Sequence, residues 1–193
     1  TTAAAMLNKD PKEIALEERK MAKAVNFGLI YGMGSKKLQL YSIEKYQVEM
    51  SDGEALKYYK AFHKSYPRIK RFHRQQISLV TKHGKVKTYM GRYRHLPEIT
   101  SDDRAVVAAA EREAINSPIQ GLASDLMLLS LIKICESFDS ETVKIVGTLH
   151  DSILFEIKEE KLDEVLPSIA GIMRNPDLTP FGILPLPVPL EVE

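Results

Sequence analysis

A single cysteine among 193 residues, Cys135, excludes a disulfide framework, and its place in the run LMLLSLIKICESF reads as that of a small buried hydrophobe. Internal repeats and low-complexity tracts are missing, which excludes solenoids and compositional linkers. No signal peptide stands out, and no apolar stretch is visible that is long enough to cross a bilayer; the expectation is a soluble protein of a reducing compartment with no membrane partner. Net charge is also nearly missing, at +1. What the chain does have is 44% hydrophobic content, enough for the core of one domain or of two small lobes, and this excludes disorder.

The small net charge hides a division. Residues 1–97 hold 20 lysines and arginines against 8 carboxylates, whereas residues 98–193 hold 7 against 18. A basic first half suits a polyanion, because phosphate contacts release counterions. An acidic second half suits divalent metal, although solvated charged helices account for either half as well.

Helix dominates the first seventy residues. Residues 1–9 read as a short helix, Asp10-Pro11 as the N-cap and first-turn proline of a helix over residues 11–18 that leads to a longer one, Ser51-Asp52-Gly53-Glu54 as the start of a helix through Ser65, and Pro67 as the start of a helix to about His83. Gly84 ends it, and VKTYMGRYRHLP alternates and turns at Met90-Gly91 like a β-hairpin with basic exposed positions. Asp102–Ser117 and Ile119–Phe138 read as two helices broken at Pro118, the second apolar enough to be buried. Val143–Leu149 and Ile153–Lys158 are β-rich runs around a turn that carries His150 and Asp151, followed by a helix from Lys161 to Met173. VPLEVE at the end reads as an edge strand beside that hairpin.

Within RKMAKAVNFGLIYG, Arg19, Lys23, Phe27 and Tyr31 recur every four residues. Each such step advances a helix by ~6 Å and rotates it by ~40°, so two cations and then two rings form one slanting stripe, suited to a polyphosphate followed by a sugar and base. The plainer alternative makes Phe27, Leu29, Ile30 and Tyr31 core and leaves Arg19 and Lys23 as solvated charges. Gly28, Gly32 and Gly34 favour the first, since a glycine within a helix costs ~1 kcal/mol and marks close approach or a hinge. Arg112, Asn116 and Gln120 form a second four-spaced stripe, a polar one for which ordinary helix-surface residues are the plainer alternative.

The R-x3-K-x3-F-x3-Y-G pattern resembles motif B, the fingers O-helix, of family A (DNA polymerase I-like) DNA polymerases. EREAINSPIQGLASD at Glu111–Asp125 and GTLHDSILFE at Gly147–Glu156 resemble that family's palm-and-fingers segment and motif C. The resemblance implies an α+β fold: mostly helical fingers over residues 1–83, with the O-helix at about 19–32, then a fingers/palm connection and partial antiparallel palm sheet over residues 84–193, with the motif C hairpin at about 143–158.

It also implies template-directed addition of deoxynucleotides to a primer 3′-hydroxyl, with template-primer DNA and deoxynucleoside triphosphates as partners and two Mg2+ ions as cofactors. Arg19 and Lys23 would bind the triphosphate as catalytic cations, Phe27 would pack on the sugar and base, and Tyr31 would stack near the template base. Arg92, Arg94, Arg112, Asn116, Gln120 and His150 would contact DNA, and Asp151 would be the catalytic metal ligand. The family's other aspartate, in a D-Y-S-Q-x-E-L-R-like motif A, is absent, as are its usual C-terminal glycine and tryptophan. The sequence therefore reads as an internal fragment, inactive without the missing segments of its parent, from bacterial or phage-infected cytoplasm, with an organelle matrix also open. Tyr93 replaces a family arginine, and Ser152 replaces the glutamate of many members. The H-D-S triplet also occurs in single-subunit RNA polymerases, so RNA synthesis and a non-catalytic nucleic-acid-binding module remain alternatives.

Overall fold

The computed structural model describes residues 2–7, 9–182, 186 and 188–192. Its architecture is α+β, helices with two small antiparallel sheets. Two compact units share the chain: residues 1–86 with 94–117, and residues 87–93 with 118–193.

In the first unit, α1 (Thr2–Leu7), α2 (Leu16–Ile30), α3 (Ser35–Tyr46) and α4 (Asp52–Ser65) enclose one core, centred on Met21, Val25, Leu29, Leu38 and Phe62. α2 contributes its 21-25-29 row, so the spacing of those apolar residues decides which face turns inward. The Asp10 carboxylate caps only a single 3-10 turn at Pro11–Glu13, and the backbone extends at Ile14 and Ala15 before α2 begins. Ser51 and Glu54 form the reciprocal capping box that starts α4, as expected. α5 (Pro67–His83) ends at Gly84, whose φ of +64° closes the helix in the left-handed region. Val80, Val86, Leu96, Ile99, Ala110 and Ala114 make a second core cluster.

β1 (Lys85–Lys87) and β2 (Tyr93–His95) pair as the expected hairpin; the turn is closed by Thr88 N–H to Arg92 carbonyl (2.8 Å) and Gly91 N–H to Thr88 carbonyl (3.0 Å). α6 runs unbroken from Arg104 to Ser137, with Pro118 inside it. This corrects the expected pair of helices. Proline removes one N–H but leaves the other turns hydrogen-bonded, and the Ser117 hydroxyl donates to the Glu113 carbonyl (2.7 Å) beside the gap. Because the helix is continuous, it is the one described helix long and apolar enough to cross a bilayer by length and composition; the sequence, divided at Pro118, had shown no such stretch. Nor is its second half buried all round: Leu126, Ser130 and Ile134 face inward, while Ile119, Leu128, Ile132 and Cys135 are exposed. Cys135 follows Ile134 by ~100° of helical rotation, which carries it off the buried face.

In the second unit, β3 (Val143–Leu149) and β4 (Ser152–Ile157) pair antiparallel, with an irregularity between Ile145 and Gly147. Val143, Ile134 and the inner face of α7 (Leu162–Arg174), through Val165 and Ile169, form its core. The edge strand expected at VPLEVE is not found: Val188–Val192 is irregular, and Arg174 donates to the Val192 carbonyl (3.2 Å); Glu193 lies outside the described residues.

Candidate nucleotide and nucleic-acid site

Ala15, at the N-cap of α2, has no side-chain acceptor. Glu18 instead reaches back to accept from the Ala15 N–H (3.0 Å) and also takes the Lys9 ammonium; Lys9, then the Ala15 N–H, hold its carboxyl below the usual range. Lys20 pairs with Glu17 at 2.9 Å. Glu18 and Glu17, next to Arg19 in the chain, are thus engaged by lysines off the stripe, and Arg19 and Lys23 form no ion pair among the described residues. Arg19, Lys23, Phe27 and Tyr31 are all exposed, opposite the buried Met21-Val25-Leu29 row. The two rings are each 38% exposed, which rules out the reading that makes them core. Arg19, Lys23 and Asn26 line an open groove of about 730 Å³.

Tyr31 is the C-cap of α2 rather than a residue of its body, because Gly32 follows at φ +76°. A Cβ on Gly32 would stand 2.8 Å from Ile115 Cδ1, and one on Gly28 would stand 3.0 Å from Leu38 Cδ1. The left-handed φ is what calls for glycine at position 32, a side chain at position 28 would press on Leu38, and Gly34 faces open space. Beyond Tyr31, Gly32, Lys36, Lys37 and Arg112 line a hollow of about 280 Å³, which brings Arg112 beside the turn that follows the stripe. Asn116 is half-buried and Gln120 exposed, both on α6.

Arg92 and Arg94 are held rather than free. Arg94 pairs with Glu113 (2.8 Å). Arg92 pairs with Asp125 Oδ1 (2.7 Å) and donates to the Gly121 carbonyl (3.3 Å). Asp125 is 7% exposed, and its Oδ2 has no hydrogen-bond partner among the described residues. Neither carboxylate was singled out from sequence, although both lie in the EREAINSPIQGLASD segment, because nothing local pairs them with Arg92 or Arg94. Gly121 allows the approach, since a Cβ there would meet Thr88 Cγ2 at 2.5 Å.

His150 and Asp151 form the tip of the β3–β4 hairpin, between the paired Leu149 and Ser152, and both are exposed. His150 adopts φ +57°, a region that favours glycine, so the tip carries backbone strain where the sequence places its chemistry. Asp151, Ser152 and Arg174 line a groove of about 920 Å³.

These features coincide with a family relationship. The sequence model described as DNA polymerase family A matches residues 1–193, and the chain belongs to that family. DNA polymerase I of Helicobacter pylori is 36% identical over 179 residues, covering 92% of this chain and 19% of its own length. The thermostable DNA polymerase I of Thermus filiformis is 31% identical over 192 residues, 100% of this chain and 22% of the relative. Among solved structures, the POL domain of Pol1 from M. smegmatis, in complex with DNA primer-template and dNTP, superposes with a TM-score of 0.82 at 29% identity, covering 98% of this chain and 32% of that one. The chain thus spans about a fifth of the length of these curated relatives.

Proposed function

We propose that the chain is the fingers and partial palm of a template-directed DNA polymerase that joins deoxynucleotides to a primer 3′-hydroxyl. The observation that carries this reading is the exposed stripe on α2: two cations without an ion-pair partner among the described residues, then two rings in the order of a deoxynucleoside triphosphate. Arg19 and Lys23 bind the phosphates and oppose the charge that grows on them during transfer; Phe27 packs on sugar and base, and Tyr31 stacks at the insertion position. Arg112, Asn116, Gln120 and His150 meet template-primer DNA, and Arg92 and Arg94 meet its backbone by exchanging carboxylate for phosphate. Family membership favours DNA over RNA synthesis.

Family A membership implies a divalent metal cofactor. Among the described residues no cluster of three or more His, Cys, Asp or Glu gathers, so the donor set fits one ligand of such an ion and not a whole shell. Asp151, exposed on its turn, is the residue that would hold it. Two Mg2+ ions would supply charge stabilisation at the phosphoryl oxygens. With one carboxylate available, the 193 residues alone do not extend a primer; metal-dependent extension by the purified chain would refute this.

The stripe is tested in the protein that carries this chain. Lys23→Ala should raise the KM for deoxynucleotide about ten-fold, the worth of a charge-assisted hydrogen bond. Lys20→Ala removes a lysine already paired with Glu17 and should leave KM unchanged. Equal effects from the two substitutions would defeat the assignment.

A further inference from the structure

The last turn of α2 leaves its final carbonyls without partners inside the helix. The turn that follows satisfies most of them: Tyr31 N–H donates to the Phe27 carbonyl (3.4 Å), Met33 N–H to that of Gly28 (3.0 Å), and Gly32 N–H to that of Leu29 (3.1 Å). No backbone N–H among the described residues takes the Ile30 carbonyl. It is taken by a side chain 43 residues away, His73 of α5, whose Nε2 lies 2.9 Å from it. A carbonyl only accepts, so Nε2 carries the proton. Burial pushes the His73 pKa down, partly opposed by this same bond, which leaves the ring neutral with its one N–H committed to Ile30.

We propose that His73 is a positioning residue for nucleotide binding: by donating to the Ile30 carbonyl it fixes the end of α2 and the backbone from which Tyr31 projects. The inference rests on the nucleotide-binding reading of α2. Tyr31 is the C-cap and Gly32 already leaves the helix, so the Ile30 carbonyl is the last point at which the stripe can be held from outside. Ile115 packs against Gly32 in the same turn. Without the bond the last turn frays, and nucleotide binds only the fraction of molecules in which it is formed, so apparent affinity falls by that fraction.

The test uses the protein that carries this chain. His73→Leu keeps bulk in a half-buried place and removes the donor; His73→Gln returns an N–H near the position of Nε2. His73→Leu should raise the KM for deoxynucleotide about five-fold, the net worth of one hydrogen bond, with the KM for primer-template unchanged. Hydrogen exchange in a peptide spanning residues 27–33 should accelerate in parallel. His73→Gln should restore both readouts to within about two-fold of the wild type. Should His73→Leu not fold, His73→Gln alone decides, since the proposal requires it to keep wild-type KM and protection. Unchanged KM in His73→Leu, or equal damage from both substitutions, overturns the role. Lys23→Ala serves as the reference: if it raises KM and His73→Leu does not, only the His73 inference falls, and if Lys23→Ala is silent, the nucleotide site itself is wrong.

Discussion

Gly121→Ala sets two effects against each other, and the structure says which wins. Alanine inside a helix is favoured over glycine by about 1 kcal/mol, so on an open face of α6 the substitution would stabilise. Here the new methyl would lie 2.5 Å from Thr88 Cγ2 and 3.3 Å from its Cβ. Thr88 is 8% exposed, and its Oγ1 accepts from the Arg92 N–H (3.1 Å), so turning χ1 to withdraw Cγ2 gives up that bond. Overpacking of this kind costs about 1–3 kcal/mol, which offsets the helical gain and leaves a net loss of about 1 kcal/mol. The assay is urea unfolding of wild type, Gly121→Ala, Thr88→Ser and the double variant. Serine deletes Cγ2 but keeps the hydroxyl and the 3.3 Å Cβ contact, so in the Thr88→Ser background Gly121→Ala should cost about 1 kcal/mol less than in the wild type. The reasoning fails if Gly121→Ala has the same effect in both backgrounds, because the clash with Thr88 would then not be what glycine avoids.

Two other outcomes follow from groups held in unfavourable states. His63, set edge-to-face against Tyr59 at 4.5 Å between ring centroids, has a buried Nδ1 without a partner among the described residues, and burial, then Lys70 and His73, lower its pKa. The unfolded chain therefore binds its proton first; stability is present above pH ~6.5 and is lost as pH falls through the lowered folded value, so His63→Phe should flatten the stability–pH curve below pH ~6.5, as followed by circular dichroism. His150→Gly should relieve the φ of +57° and steady the hairpin by about 1 kcal/mol in thermal unfolding, while any DNA contact of the ring is lost; a lower melting temperature would count against strain at the tip.

The parts of this fold legible in the sequence are those governed by local rules. Ser51 with Glu54, Pro67, Gly84 and the Met90-Gly91 turn announced their boundaries because a cap or a backbone preference acts within four residues. The stripe on α2 was legible because period alone places 19, 23, 27 and 31 opposite 21, 25 and 29. Pro118 misled because a local rule lost to its surroundings: one missing bond does not break a 34-residue helix whose other turns stay hydrogen-bonded and which buries Ala110 and Ala114 before the proline and Ile134 after it. Cys135 misled because an apolar run does not say which of its faces is covered. Arg92–Asp125, Arg94–Glu113 and His73–Ile30 join positions 19 to 43 residues apart, and no window of sequence pairs them in advance.

The distribution of ion pairs gives the arginines and lysines of this chain two different relations to an arriving polyanion. Where Arg19 and Lys23 stand, Glu17 and Glu18 are already held by lysines, so on the proposed reading a phosphate would meet bare charge and displace only water and small ions. At Arg92 and Arg94 it would first have to evict a glutamate or an aspartate, one of them sunk in the protein. Rising salt will therefore erode the first kind of contact steeply and the second kind shallowly, because swapping one anion for another changes the local ion atmosphere little.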